Sequence, residues 1–203
     1  MIDALIQTYR LKDEVRTGWR LRGITDPESV ADHSWGTAYL VLLHADEAGV
    51  DRGKALEIAL VHDIAEAITG DVPTRVAGMD DPRRKKEKYA REREAVARLL
   101  GDYPHAQATR VRQLWQEYEE NRTPEAKFVR DMNLVDMCLQ ACRYELDRRY
   151  NTDDPNPSFP EFPRLDEFFM TAAARIRTDS GRALFERVAE RYSLLVREDS
   201  CDE

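Results

Sequence analysis

The chain has 203 residues, 42% of them hydrophobic and 34% charged, and its 31 Lys and Arg face 39 Asp and Glu for a formal net charge of -8. That length suits one helical domain with a full core, and the composition excludes a disordered or fibrous chain. No apolar stretch reaches the roughly 18 residues a membrane span needs, and the acidic balance repels polyanions, so neither a membrane nor a nucleic acid is expected as a partner. Met1 leads straight into an amphipathic pattern without a signal peptide, which points to a cytoplasmic protein. The one basic run, Arg83 to Lys88, lies among Asp80, Asp81, Glu87 and Glu92 and reads as a solvated helix face. Cys138, Cys142 and Cys201 make an odd count with no disulfide framework, as expected of reduced thiols.

Apolar residues recur at helical spacing nearly throughout and no run alternates as a strand would, so the fold is expected to be all-α, with about seven to eight helices. A first helix is predicted over about Asp3 to Lys12, then a break at Thr17-Gly18 and a loop through Pro27. Ser29 is a cap for a second helix from about Val30 to Glu47, stopped near Gly49. A third runs from Asp51 to about Ile68, and Gly70 to Thr74 is a loop. Asp81-Pro82 opens a long charged helix that closes near Gly101, and Pro104 and Thr123-Pro124 open two more. The helix from Pro124 to about Tyr150 carries Phe128, Val129, Met132, Val135, Leu139 and Cys142 in one stripe and is the expected central packing element. A proline-rich loop from Asn151 to Pro163, two closing helices to about Val196 and a mobile acidic tail complete a single domain over residues 1–203.

One apolar segment, Ile58 to Ala67, turns abruptly polar at His62, Asp63 and Glu66. On one continuous helix His62 and Glu66 would share a face, with Asp63 beside Glu66. Three ionisable groups where burial is expected would cost several kcal/mol unpartnered, and a cation is an economical partner. His33, in the first turn of the preceding apolar helix, is the second anomaly. Imidazoles and carboxylates together suit Mn, Fe, Co, Ni or Mg. Each histidine taken alone also fits a hydrogen-bonded core residue.

The segments Arg16-Thr17-Gly18-Trp19, Pro27 to Ser34, Leu60 to Glu66 and Thr69 to Pro73, followed by Ala126 to Val129 and Leu139 to Ala141, together resemble the 5'-deoxynucleotidase family of the HD-domain phosphohydrolases. The similarity covers most of residues 10 to 145. It implies an all-helical HD domain and a divalent metal held by His33, His62 and Asp63. The family's fourth ligand, an Asp, falls on Asn133, which can offer a carbonyl oxygen but no charge. Asp136, one turn along the same face, is the alternative fourth ligand or a contact to a substrate hydroxyl, whereas Asp131 points away and reads as a surface ion-pair residue.

The implied chemistry is metal-assisted attack of water on phosphorus, with Glu66 as general acid or base and Asp71 orienting water or phosphate. Arg16 and Trp19 are implied substrate contacts, although Gly18 stands where related bacterial enzymes carry Arg. The expected substrate is a nucleoside 5'-monophosphate, foremost a deoxyribonucleotide, and a homodimer is the implied assembly. The alternatives are another HD phosphohydrolase reaction, on a nucleoside triphosphate or other phosphate ester, and a ligand-binding HD protein without turnover.

Overall fold

The computed structural model describes residues 1–73, 82–152, 161–162 and 164–199. In chain order the helices are α1 (Ile2–Thr8), a 3₁₀ turn (Tyr9–Lys12), α2 (Thr17–Leu21), α3 (Val30–His44), α4 (Arg52–Val61), α5 (Glu66–Thr69), α6 (Pro82–Leu99), α7 (His105–Glu120), α8 (Pro124–Leu146), α9 (Asp166–Ala173) and α10 (Asp179–Asp199). Among the described residues no strand forms, and one antiparallel bridge joins Val15 to Ser29. The all-α expectation therefore holds. The expected cap at Asp81, Thr74, most of the proline-rich loop and the end of the acidic tail lie outside the described residues.

Local chemistry explains where the site-bearing helices start. Ser29 Oγ accepts from the Asp32 N–H at 3.1 Å while the Asp32 carboxylate accepts from the Ser29 N–H at 2.9 Å, a reciprocal cap that begins α3 and puts His33 in its first turn. Thr123 caps α8 by accepting the Ala126 N–H on its hydroxyl, with Pro124 in the first turn. Gly49 ends the α3 region with φ of 68°.

The central position of α8 is as expected: it packs against α3, α4, α7, α9 and α10. Phe128, Val129, Met132, Val135, Cys138 and Ala141 are fully buried along it, in a main core shared with Trp19, Ile58 and Leu165. A second core gathers Ala65, Ala95, Val96, Leu100, Ala108 and Trp115. Val61 packs against both, so the segment that follows it is held between two apolar clusters.

Three sequence expectations are corrected. Thr17-Gly18 begins the short helix α2 instead of breaking the chain. The predicted helix from Asp51 to Ile68 divides into α4 and α5 around residues 62–65. Asp131 is 1% exposed and not a surface residue: its carboxylate accepts from the Arg177 N–H (3.1 Å), the Thr178 N–H (2.7 Å) and the Thr178 hydroxyl (2.6 Å), just before α10. Asp131→Ala would strand those donors at the entry to the last helix, so we expect about 1–2 kcal/mol lower unfolding free energy. Urea denaturation of the two proteins measures it, and unchanged stability would remove Asp131 from this role.

Candidate metal centre

His62 caps the C-terminal end of α4, and the backbone then tightens. Ile64 N–H bonds Val61 O (3.2 Å), Glu66 N–H bonds Asp63 O (3.0 Å), Ala67 N–H bonds Ile64 O (3.3 Å) and Ile68 N–H bonds Ala65 O (3.0 Å), all three residues apart. At three residues per turn, Asp63 and Glu66 come to the same side, rather than His62 and Glu66 as on a continuous α-helix.

His33, His62 and Asp63 converge. The two Nε2 atoms are 3.4 Å apart, and Asp63 Oδ2 lies 3.1 Å from His62 Nε2 and 3.8 Å from His33 Nε2. Ligands about 2.1 Å from a common ion are separated by about 3.0 Å at a right angle and about 3.4 Å at the tetrahedral angle, so this triangle is close to a coordination face. His62 Nδ1 donates to Ala59 O at 2.7 Å, which fixes the orientation of the ring with Nε2 toward Asp63 and His33. His33 Nδ1 shares a proton with Asp136 Oδ2 across 2.6 Å. Burial, assisted by Arg16, pushes the His33 pKa down to about 3, so the ring is neutral at pH 7. Burial opposes ionisation of Asp63, but His62, Arg16 and His33 outweigh it and hold the carboxyl well below the usual range. Two imidazole nitrogens and a carboxylate oxygen fit a borderline divalent cation.

Around this triangle the structure sets further ionisable groups. Glu66 is 4% exposed, and its Oε2 has no hydrogen-bond partner among the described residues. Burial, then the nearby carboxylates of Asp63 and Asp71, raise its pKa well above the ordinary value. Arg16 Nη1 stands 3.5 Å from both Asp63 Oδ2 and Asp71 Oδ1. Burial would lower the Arg16 pKa, yet Asp71, Asp63, Glu66 and Glu28 together carry it upward. Asp71 accepts from the Thr17 N–H at 2.5 Å and donates its own N–H to Glu14 at 3.2 Å, so it ties the loop to the start of α2. Gly70, with φ of 73°, makes the reversal that brings it there.

The remaining implied residues are placed differently from expectation. Trp19 is 1% exposed, stacked on Phe168 at 3.9 Å and edge-on to Tyr144 at 5.1 Å, so it is a core residue and not a substrate wall. Its Nε1 donates to Glu28 Oε1 at 2.8 Å. Burial pushes Glu28 up to about 7, although His33 pulls it down. Asn133 donates its amide to the Tyr118 hydroxyl at 2.9 Å, and the Tyr118 ring packs edge-on against His62. Only the Asn133 carbonyl oxygen is then a donor for a cation. Asp136 bonds to the far nitrogen of His33 instead of standing beside Asn133 as a fourth ligand, and burial raises its pKa to about 7.

Two residues with a bearing on the site were missed from the sequence. Glu28 lies within 4.8 Å of His33 and Asp136 by its nearest carboxylate oxygen. Lys88, read as part of a solvated face, pairs with Glu92 at 3.1 Å, and Asp63 and Glu66 help Glu92 raise its pKa against the effect of burial. Nothing in the local sequence separates Lys88 from its exposed neighbours Lys85 and Lys86; only the position of α6 beside α5 does.

An all-helical bundle that brings a histidine from one helix against a histidine-aspartate pair from the next defines a metal-site architecture. The family model described as "HD domain" matches residues 8–158, and the chain belongs to that family. It is 35% identical over 169 residues to the 5'-deoxynucleotidase HDDC2 of Xenopus laevis, covering 83% of this chain and 75% of that protein. It is 38% identical over 146 residues to the 5'-deoxynucleotidase hdd1 of Schizosaccharomyces pombe, covering 70% of each. Among solved structures, PH0347 from Pyrococcus horikoshii OT3 superposes with a TM-score of 0.69 at 31% identity, covering 96% of this chain and 99% of that one. A predicted metal-dependent phosphohydrolase from Magnetospirillum magnetotacticum MS-1 gives 0.67 at 25% identity, with 97% and 91% covered. No helix of the described residues is long and apolar enough to cross a membrane.

Proposed function

We propose that the chain, as one HD domain, is a divalent-metal-dependent phosphohydrolase that cleaves nucleoside 5'-monophosphates, foremost deoxyribonucleotides, to nucleoside and phosphate. The observation that carries this is the triangle of His33 Nε2, His62 Nε2 and Asp63 Oδ2 beside the buried Glu66 carboxyl, whose Oε2 has no hydrogen-bond partner among the described residues. Similarity to proteins named 5'-deoxynucleotidase supports the substrate class.

His33, His62 and Asp63 would hold the cation, with Asn133 able to add its carbonyl oxygen. A divalent ion of the Mn, Fe, Co, Ni or Mg type supplies Lewis-acid polarisation of a phosphate oxygen and a lowered pKa for water. Arg16 and Lys88 grip the other phosphate oxygens, and Asp71 orients Arg16. Glu66, kept protonated by burial and neighbouring carboxylates, holds its proton for the leaving 5'-oxygen. As the oxygen of water joins phosphorus, the bond to the 5'-oxygen breaks, that oxygen takes the Glu66 proton, and the proton released by water restores the acid. Asn133 removes a charge from the expected ligand set, which keeps nucleoside triphosphates and other phosphate esters as alternative substrates.

Phosphate release from a panel of nucleoside mono- and triphosphates with manganese, cobalt or magnesium discriminates among these substrates. Glu66→Gln should lose about 10²- to 10⁴-fold in kcat with manganese binding intact, and Lys88→Ala should raise KM about ten-fold or more. In the intact enzyme the rate should fall as pH rises through the elevated Glu66 pKa, because the acid is lost on ionisation. Turnover preserved in Glu66→Gln would remove it from proton transfer, and nucleotide binding without release under every metal would favour a non-catalytic HD protein.

The homodimer belongs to the same proposal. On α3, Trp35 is 69% exposed and stacks in parallel with the exposed Tyr39 at 5.4 Å, with Leu42 and Leu43 also outward. A face of this kind suits a second copy. Sedimentation should give twice the mass of one chain, reduced to one by Trp35→Glu; a monomeric parent protein would rule the dimer out.

A further inference from the structure

Gly36 occupies the interior of α3, three residues after His33, where helix propensity disfavours glycine by about 0.5–1 kcal/mol relative to alanine. It is not among the residues with positive φ, so backbone freedom does not explain it. Space does. A Cβ built on Gly36 would lie 2.0 Å from Asp136 Oδ1 and 2.9 Å from its Cγ. The carboxylate of α8 thus rests on the bare backbone of α3, and from there its other oxygen reaches His33 Nδ1 at 2.6 Å.

Two carboxylates lie near this ring, Glu28 and Asp136. Glu28 Oε1 is occupied by the Trp19 indole at 2.8 Å, and the hydrogen bond from His33 goes to Asp136. A ring whose Nδ1–H is donated to a carboxylate has its Nε2 lone pair fixed in direction and made more basic. Asp136 also sits one helical turn from Asn133, the position at which the HD resemblance calls for an anionic ligand.

We propose that Gly36 and Asp136 act as a pair that positions His33 for the cation: glycine makes the room, and aspartate accepts the Nδ1–H and so fixes the direction in which Nε2 points. This rests on the assignment of His33, His62 and Asp63 as the metal site. Asp136 is then a positioning residue and has no contact with substrate. The same packing explains why α3 accepts a glycine in mid-helix.

The test is manganese binding to the intact chain, followed by titration calorimetry, in the parent protein and in Gly36→Ala, Asp136→Ala, the double variant and His62→Ala. Melting in chelator reports the fold of each separately. One substitution adds a methyl group and the other removes a carboxylate, so they threaten the fold differently, yet both should break the same bond. Each should weaken manganese binding about 10- to 100-fold, and the double variant should be no weaker than the worse single one. A purely structural role would lower the melting temperature in chelator and leave the affinity unchanged. Affinities within about two-fold of the parent in both single variants, with binding lost in His62→Ala, would overturn the pairing and leave the metal site standing. A parent protein that does not bind manganese, or a His62→Ala variant that binds as the parent does, would instead overturn the metal assignment and the pairing with it.

Discussion

Two imidazole nitrogens and a carboxylate oxygen held within 3.1–3.8 Å of one another, in a place where both rings are shielded from water, form the constraint on which the site depends. The His62 ring is held in this orientation because its Nδ1–H is committed to the Ala59 carbonyl. Three potential ligand atoms therefore converge on one buried point, where a divalent cation would be a favourable partner. The backbone is arranged to hold this geometry. The reciprocal Ser29–Asp32 cap sets the height of His33 on α3, and the tight turn after Val61, wedged between two apolar cores, sets His62 and Asp63.

The same constraint organises the charges farther out. Asp63, Asp71, Glu66, Glu28 and Asp136 surround the triangle, and Arg16 and Lys88 are the cations whose fields reach it. A bound divalent ion would add positive charge at the centre of this surface and favour a phosphate dianion. The carboxyls respond to burial in different ways: Asp63 stays ionised through its contacts with His62, Arg16 and His33, while Glu66, Glu28 and Asp136 are driven toward the neutral form. One acid is thus suited to ligation and another to carrying a proton, although both belong to the same four-residue stretch.

The parts of this arrangement written in local chemistry were legible in the sequence. Ser29 before an apolar helix, Thr123-Pro124 before the α8 stripe, and histidines interrupting apolar segments each announce themselves within a few residues. What local patterns cannot carry was missed. Over four residues a periodicity of 3.0 is indistinguishable from 3.6, so the turn at 62–65 read as helix. Asp131 finds its partners at Arg177 and Thr178, 46 and 47 residues away, and Lys88 owes its importance to how α6 lies against α5. Trp19 was placed beside a substrate by resemblance, whereas Phe168 and Tyr144 enclose it in the core. Gly36 stood in plain view as a mid-helix glycine, but its reason, a carboxylate from α8, is tertiary.

The most direct measurement is an anomalous difference map from a crystal soaked in manganese. A single strong peak about 2.0–2.3 Å from His33 Nε2, His62 Nε2 and an Asp63 oxygen, with Asp136 still on His33 Nδ1, is the predicted result. A peak held instead by Glu28, Asp136 and His33 Nδ1, or no peak at the triangle in excess manganese, would contradict the account.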